Sequence, residues 1–305
     1  MKMPMMKSLS LQRMKEYKAR LNRVMDYIEM HREKEFNLEE LAQVACFSKY
    51  HFHRIFHSLA GETLFAFIQR LRLEKAAGLL AANHDTPVTS IALDCGFSSS
   101  SAFARAFKGQ FGMTAGHWRR TRQTLYIRKK NIDIPFEDLS FSRLRGQVEI
   151  RDMGALTLAY IRYTGPYEGD SKLFEKLYKK LYQWAFPRDL VSEMTMNLTV
   201  YHDHIDVTCH DKLRISVSIT VPPETEVAGE IGKMTLPKGR YACARFHLGS
   251  TDYYEAWQWL FSDWLPKSGY QPGDGPGYEY LPFIQDEAGS AGKLTVDICI
   301  PVKPL

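Results

Sequence analysis

Tyr50, His53 and Arg54 lie three and four positions apart, so on one helix they are neighbours on a single face. An aromatic hydroxyl, an imidazole and a guanidinium presented together suit a DNA major groove. There arginine pairs bidentately with guanine N7 and O6, and tyrosine or histidine donates to bases or phosphates. Lys49 adds a cation for a phosphate. Taken alone, the same residues also describe a solvated polar helix face. The sequence repeats the arrangement, however. Phe52, Arg54, Phe56, Gly61 and Thr63 recur 51 positions later as Phe103, Arg105, Phe107, Gly112 and Thr114. In the second copy the outward face is Ser100, Ser101, Ala104 and Arg105. Five matches at one offset denote a duplicated unit.

A second chemistry is signalled by GDGPGYEYLPF, residues 273–283. In a strand, Glu279 faces away from Tyr278 and Tyr280. Facing inward, a lone carboxylate among aromatics favours cationic or polar ligands; facing solvent is the alternative that spacing leaves open. The aromatic residues expected around such a ligand are Tyr160, Tyr163, Tyr167, Trp257, Trp259, Tyr278, Tyr280 and Phe283, although aromatics at strand and helix spacing also build cores. In YHDHIDVTCHD, residues 201–211, His202 and His204 share one side of a strand, but no third ligand is positioned, so neither metal nor cofactor is expected. No G-x-S-x-G elbow, G-x-G-x-x-G or P-loop pattern appears, and no catalytic residue is assigned.

The elements that must carry these residues change type along the chain. Up to about residue 122 the apolar spacing is helical: residues 16–34, a short helix opened by Asn37 with Glu40 three positions on, then Lys49–Leu59, Leu64–Ala82, Val88–Asp94 and Ser100–Phe111. The helix between the two copies has about 20 residues and so spans ~30 Å, near the ~34 Å between successive major-groove entries on one face of DNA. Beyond the linker, alternation in ALTLAYIRY, KLRISVSITV, GRYACARFHL and LTVDICIPV predicts strands, with helices at Leu173–Phe186 and Asp252–Trp264. Ala159 and Arg162 echo Ala242 and Arg245 at offset 83, and Leu177, Leu181 and Trp184 echo Trp257, Phe261 and Trp264 at offset 80.

Charge divides the chain at the same place. Residues 1–130 hold 22 Lys/Arg against 11 Asp/Glu, whereas residues 131–305 hold 18 against 24. A basic half beside an acidic one is what a chain needs when one half meets a polyanion and the other does not. No apolar run approaches the 18 residues of a membrane span. The five cysteines are scattered without C-x-x-C spacing, which fits a reducing cytoplasm.

With LAQVACFSKYHFHRIFHSLAGETLFAFIQRLRLEKAAGLL and VTSIALDCGFSSSSAFARAFKGQFGMTAGHWR, residues 16–122 resemble the DNA-binding domain of the AraC/XylS family of bacterial transcription regulators. The resemblance implies seven helices, two helix-turn-helix motifs and binding of one chain to an asymmetric site. It places base reading on Tyr50, His53 and Arg54, and on Ser100, Ser101, Ala104 and Arg105. Cys46 stands where the family commonly has glycine, so that turn must avoid positive φ or carry strain. Ala115 replaces the family's usual proline. Through LAYIRYTGPY, YACARFHLGSTDYYEAWQWLFSDWLPKSGY and GPGYEYL, residues 146–304 resemble the gyrase-inhibitor-like, or SHS2-repeat, effector-binding domain, which implies a ligand groove with an inward glutamate matched by Glu279.

The expected fold is therefore multidomain: an all-α tandem helix-turn-helix domain followed by an α+β domain of two β-α-β-β modules. Residues 1–15 are expected as a disordered lead, 16–122 as the DNA-binding domain, 123–145 as linker and 146–305 as the effector-binding domain. The expected function is sequence-specific binding of promoter double-stranded DNA in the cytoplasm, controlled by a small-molecule effector and acting with RNA polymerase. A DNA-tethered hydrolase that degrades its ligand is the alternative.

Overall fold

The computed structural model describes residues 3–32, 34–82, 85–128, 144–203, 205, 208–273, 275–282 and 293–304. They form two compact units, Met1–Asp133 with Ala228–Gly232, and Ile134–Val227 with Lys233–Leu305. No described helix is long and apolar enough to cross a membrane.

Among its described residues the first unit has seven α-helices: α1 (Met3–Met30), α2 (Leu38–Val44), α3 (Lys49–Ala60), α4 (Leu64–Ala82), α5 (Val88–Asp94), α6 (Ser100–Phe111) and α7 (Ala115–Arg128). Helix α1 starts at Met3, so the stretch expected as a disordered lead is helical; its Met, Lys, Leu, Gln and Arg are strong helix formers, and Pro4 sits in the first turn where it is tolerated. Helix α7 likewise continues to Arg128, into the stretch expected as linker.

The duplicated residues anchor and stop α3 and α6 and start the helix that follows each. Gly61 and Gly112 end α3 and α6 at φ 72° and 70°, the left-handed conformation that costs glycine nothing. Thr63 and Thr114 then open α4 and α7, their hydroxyls accepting from Ala66 N at 3.1 Å and His117 N at 3.2 Å. Phe52 and Phe56, like Phe103 and Phe107, are fully buried. The first pair packs with Leu21, Val24, Ile28, Leu41 and Phe67, and the second continues through Phe111 to Trp118, whose indole donates to Ala77 O at 3.1 Å.

The second unit contains β1 (Gln147–Met153), β2 (Leu156–Thr164), α8 (Ser171–Ala185), β3 (Asn197–Tyr201) and β4 (Arg214–Thr220). It repeats as β5 (Gly232–Leu236), β6 (Gly239–Leu248), α9 (Tyr253–Trp259), β7 (Tyr270–Pro272), β8 (Gly277–Leu281) and β9 (Leu294–Pro304). One sheet runs in the order β1-β6-β9-β8-β3-β4-β2-β5, with β7 paired to β9. The order is symmetric about the β3–β8 pair, so β2-α8-β3-β4 and β6-α9-β8-β9 are the two β-α-β-β modules. Strands β1 and β5 are additions to that pattern, each lying on the other module's edge. The offset-83 echo has a structural basis: Arg162 stands opposite Ser216 and Arg245 opposite Asp297. In the helices the equivalence falls at offset 79 rather than 80. Leu177 and Leu181 correspond to Ala256 and Leu260, because these are the positions turned onto the sheet.

Candidate DNA-reading faces and a buried carboxylate

Helices α3 and α6 turn opposite faces to the core and to solvent. Lys49, His53 and Arg54 are exposed, as are Ser100, Ser101, Ala104 and Arg105. Tyr50 is the second residue of α3, and its side chain lies outside the described residues. Lys49 Nζ is 3.6 Å from Glu39, a contact that costs little to exchange for a phosphate. The strained alternative for Cys46 is the one realised: it adopts φ 52°, matching Gly96 at φ 81° in the second copy of the duplicated helix-turn-helix.

The second unit buries one carboxylate. Glu279 is 4% exposed and pairs across the sheet with Thr199 on β3 and Ile298 on β9. Ile298 belongs to the core packed beneath α9, so Glu279 faces the helices, the inward alternative. Trp257 Nε1 on α9 donates to one carboxylate oxygen at 2.7 Å, and the Tyr201 hydroxyl donates to the other at 2.8 Å. Burial pushes the Glu279 carboxyl up to about 7, against the opposing pull of the Trp257 and Tyr201 hydrogen bonds. The Tyr201 ring lies 5.4 Å from Trp257 and 5.7 Å from Tyr167. Burial, then the nearby Glu279 carboxylate, raises the phenols of Tyr167, Tyr201 and Tyr253. Across the pseudo-twofold, Tyr178 on α8 shares a hydrogen bond of 3.3 Å with Thr199, the counterpart of the Trp257–Glu279 contact. A hydroxyl thus stands where the other module has its charge.

Of the described residues expected around Glu279, only Tyr167 and Trp257 are gathered there. Tyr278 and Tyr280 lie on the opposite face, where Tyr278 packs with Leu198, Val200, Tyr241, Cys243 and Cys299. Alternation along β8 requires this once Glu279 faces the helices. Tyr160 shares their face, stacked beneath Arg162 at 4.9 Å. Tyr163 faces the helical side but turns its hydroxyl to Pro166 O at 3.2 Å. Trp259 is core, 5.6 Å from Phe246. Phe283 lies outside the described residues.

Tyr201, Tyr178 and Thr199 were not singled out by the sequence. Tyr201 opens the histidine-rich stretch 201–211, whose signal for metal ligands is stronger than its signal for a tyrosine donor. His202 is bonded to Ser216 at 2.8 Å and Arg162 at 3.0 Å, Asp203 pins Arg214, and His204 lies outside the described residues. Among the described residues no group of three or more His, Cys, Asp or Glu could hold a metal ion.

Comparison with known proteins follows the same division. Residues 146–303 match the family model of the GyrI-like small molecule binding domain, and residues 41–121 match a helix-turn-helix domain. The chain is 37% identical over 111 residues to LumQ of Photobacterium leiognathi, covering 36% of this chain and 42% of that protein. It is 35% identical over 97 residues to the transcriptional regulator Rob of Salmonella typhimurium, covering 32% and 33%. It is 28% identical over 163 residues to a DNA gyrase inhibitor of Edwardsiella piscicida, covering 52% and 98%. The chain thus spans only about a third to two-fifths of the two regulators' lengths and nearly all of the gyrase inhibitor.

Proposed function

Because this chain belongs to the family of GyrI-like small-molecule-binding domains and carries an AraC-type helix-turn-helix domain before it, we propose that it is a ligand-responsive transcription regulator. Lys49, Tyr50, His53 and Arg54 on α3, and Ser100, Ser101, Ala104 and Arg105 on α6, meet promoter DNA. The first helix reads bases with its imidazole and guanidinium. The second, with hydroxyls and one arginine, works more through phosphates and DNA shape. The carboxylate of Glu279, ringed by Tyr167, Tyr201 and Trp257, receives a small molecule carrying a positive charge or polar donors. A ligand with different affinity for two states of the protein shifts DNA binding or contact with RNA polymerase in the cytoplasm.

The observation that carries this reading is the exposure of one arginine at equivalent points of two helices whose buried Phe pairs, glycine stops and threonine caps all repeat. For the ligand half, both oxygens of Glu279 accept hydrogen bonds, from Trp257 and Tyr201, which fix the carboxyl group among aromatic rings. The regulator reading needs no turnover of the ligand.

The test is selection of bound sequences from a random duplex pool by the full-length protein, followed by titration with benzyltrimethylammonium as an aromatic cation. Enrichment of one sequence, with fluorescence quenching by the cation that Glu279→Gln weakens, is the expected result. Equal affinity for every duplex, or conversion of the bound molecule to product, would sink it.

A further inference from the structure

Arg72 lies within α4, the helix that both helix-turn-helix units share. Its guanidinium gathers backbone carbonyls from two different units. Nε donates to Arg32 O at 3.1 Å and Nη2 to Lys34 O at 2.7 Å, both in the connection between α1 and α2. Nη1 donates to Gly96 O at 2.8 Å, in the turn of the second unit. The junction leaves no spare room: a Cβ on Gly96 would lie 2.9 Å from Arg72 Nε and 3.0 Å from Arg32 O. Its far end is held too, since Lys34 Nζ donates to Glu40 on α2 and to the Tyr27 hydroxyl on α1.

The duplication supplies an internal control. In the first unit the equivalent turn carbonyl is Cys46 O, and Arg20 on α1 donates to it at 2.9 Å. Holding such a turn therefore takes a single guanidinium contact. Arg20 otherwise meets Glu16, one turn earlier, and the Phe47 ring, both within its own unit. The bonds from Arg72 to Arg32 and Lys34 are surplus to turn-holding, and they are the ones that cross between units. A planar five-donor fork can serve three carbonyls in set directions, whereas an ammonium cannot reach all three.

We propose that Arg72 is a positioning residue that fixes the phase of α6 relative to α3 and thereby sets the half-site spacing the protein accepts. It reads no base itself. The inference rests on the DNA-reading function proposed above. Each base pair inserted between half-sites turns one of them by ~35° about the duplex, so a rigidly phased pair of helices discriminates spacing sharply and a loosened pair does not.

The test uses the full-length protein, the duplex that wild type selects from a random pool, and two derivatives with one base pair added or removed between its halves. Wild type is expected to lose at least about tenfold in affinity on each derivative. Arg72→Gln is expected to bind the selected duplex more weakly, yet to bind all three within about threefold of one another. Arg20→Gln, which removes a turn contact but leaves the bridge, should weaken all three while keeping the wild-type ratio. If Arg72→Gln proves unfolded by circular dichroism, Arg72→Lys decides by the same ratio. A wild-type spacing ratio in a folded Arg72 variant overturns the proposal. Failure of wild type to select any two-part sequence overturns the DNA reading beneath it instead.

Discussion

At the scale of single residues, the two proposed activities depend on opposite treatments of charge. Arg54 stays in solvent, where a guanine edge can claim it, so Arg54→Ala should cost about 1–3 kcal/mol of specific binding and relax base preference in one half of the site. Anisotropy titrations on single-base variants of the selected duplex measure this; unchanged affinity would remove α3 from the reading role. Glu279 is buried, and burial holds its carboxyl near 7 against an ordinary value of 4.5. A group raised in this way gives its full stability below pH 4.5 and loses it as pH rises through 7, by up to about 3 kcal/mol. The tyrosines facing it, Tyr167, Tyr178, Tyr201 and Tyr253, are all raised and stay protonated across that window. Urea midpoints followed by tryptophan fluorescence should therefore fall between pH 5 and pH 8.5 in wild type, and much less in Glu279→Gln. Equal slopes in the two proteins would contradict the buried titration. Cys46 sits at φ 52°, and Cys46→Gly should raise the helical unit's stability by up to about 1 kcal/mol, read from thermal melts.

At the scale of elements, the carboxylate site depends on how closely β8 approaches α9. Gly277 carries no side chain where a Cβ would lie 2.7 Å from the Trp257 ring. Gly277→Ala should displace that indole, break its bond to Glu279 and destabilise the sheet unit by about 1–3 kcal/mol. A shifted tryptophan emission maximum and a weakened cation titration are the readouts; unaltered emission would mean that the helix yields instead. Local chemistry made some elements legible in advance. Asn37 followed by Glu40 opened α2, and the Asn37 side chain does accept from Glu40 N at 2.8 Å. The start of α1 is not legible from periodicity because the lead lacks a strong apolar stripe, although its residues favour the helix. The offset-80 helix echo slipped by one because amphipathic helices match one another at several shifts, and only the sheet beneath them sets the true alignment.

At the scale of the whole molecule, the charge division predicts two different responses to salt. DNA affinity should fall with a log–log slope steeper than about −3, as expected when at least a few phosphates are neutralised. Cation binding at buried Glu279 should change little between 50 mM and 200 mM salt, since buried pairs are weakly screened. Parallel titrations check both, and a flat DNA response would count against phosphate contacts by the basic half. The duplication, the helix caps, the glycine stops and the charge division were available from the chain alone, because each is expressed through residues a few positions apart or through composition. Which neighbours surround Glu279, and that Tyr278 and Tyr280 serve the opposite face, depended on tertiary structure. Strand alternation separates two sides without naming them; the pairing of β8 with β3 and β9, and the seating of α9, connect residues tens of positions apart and choose between them.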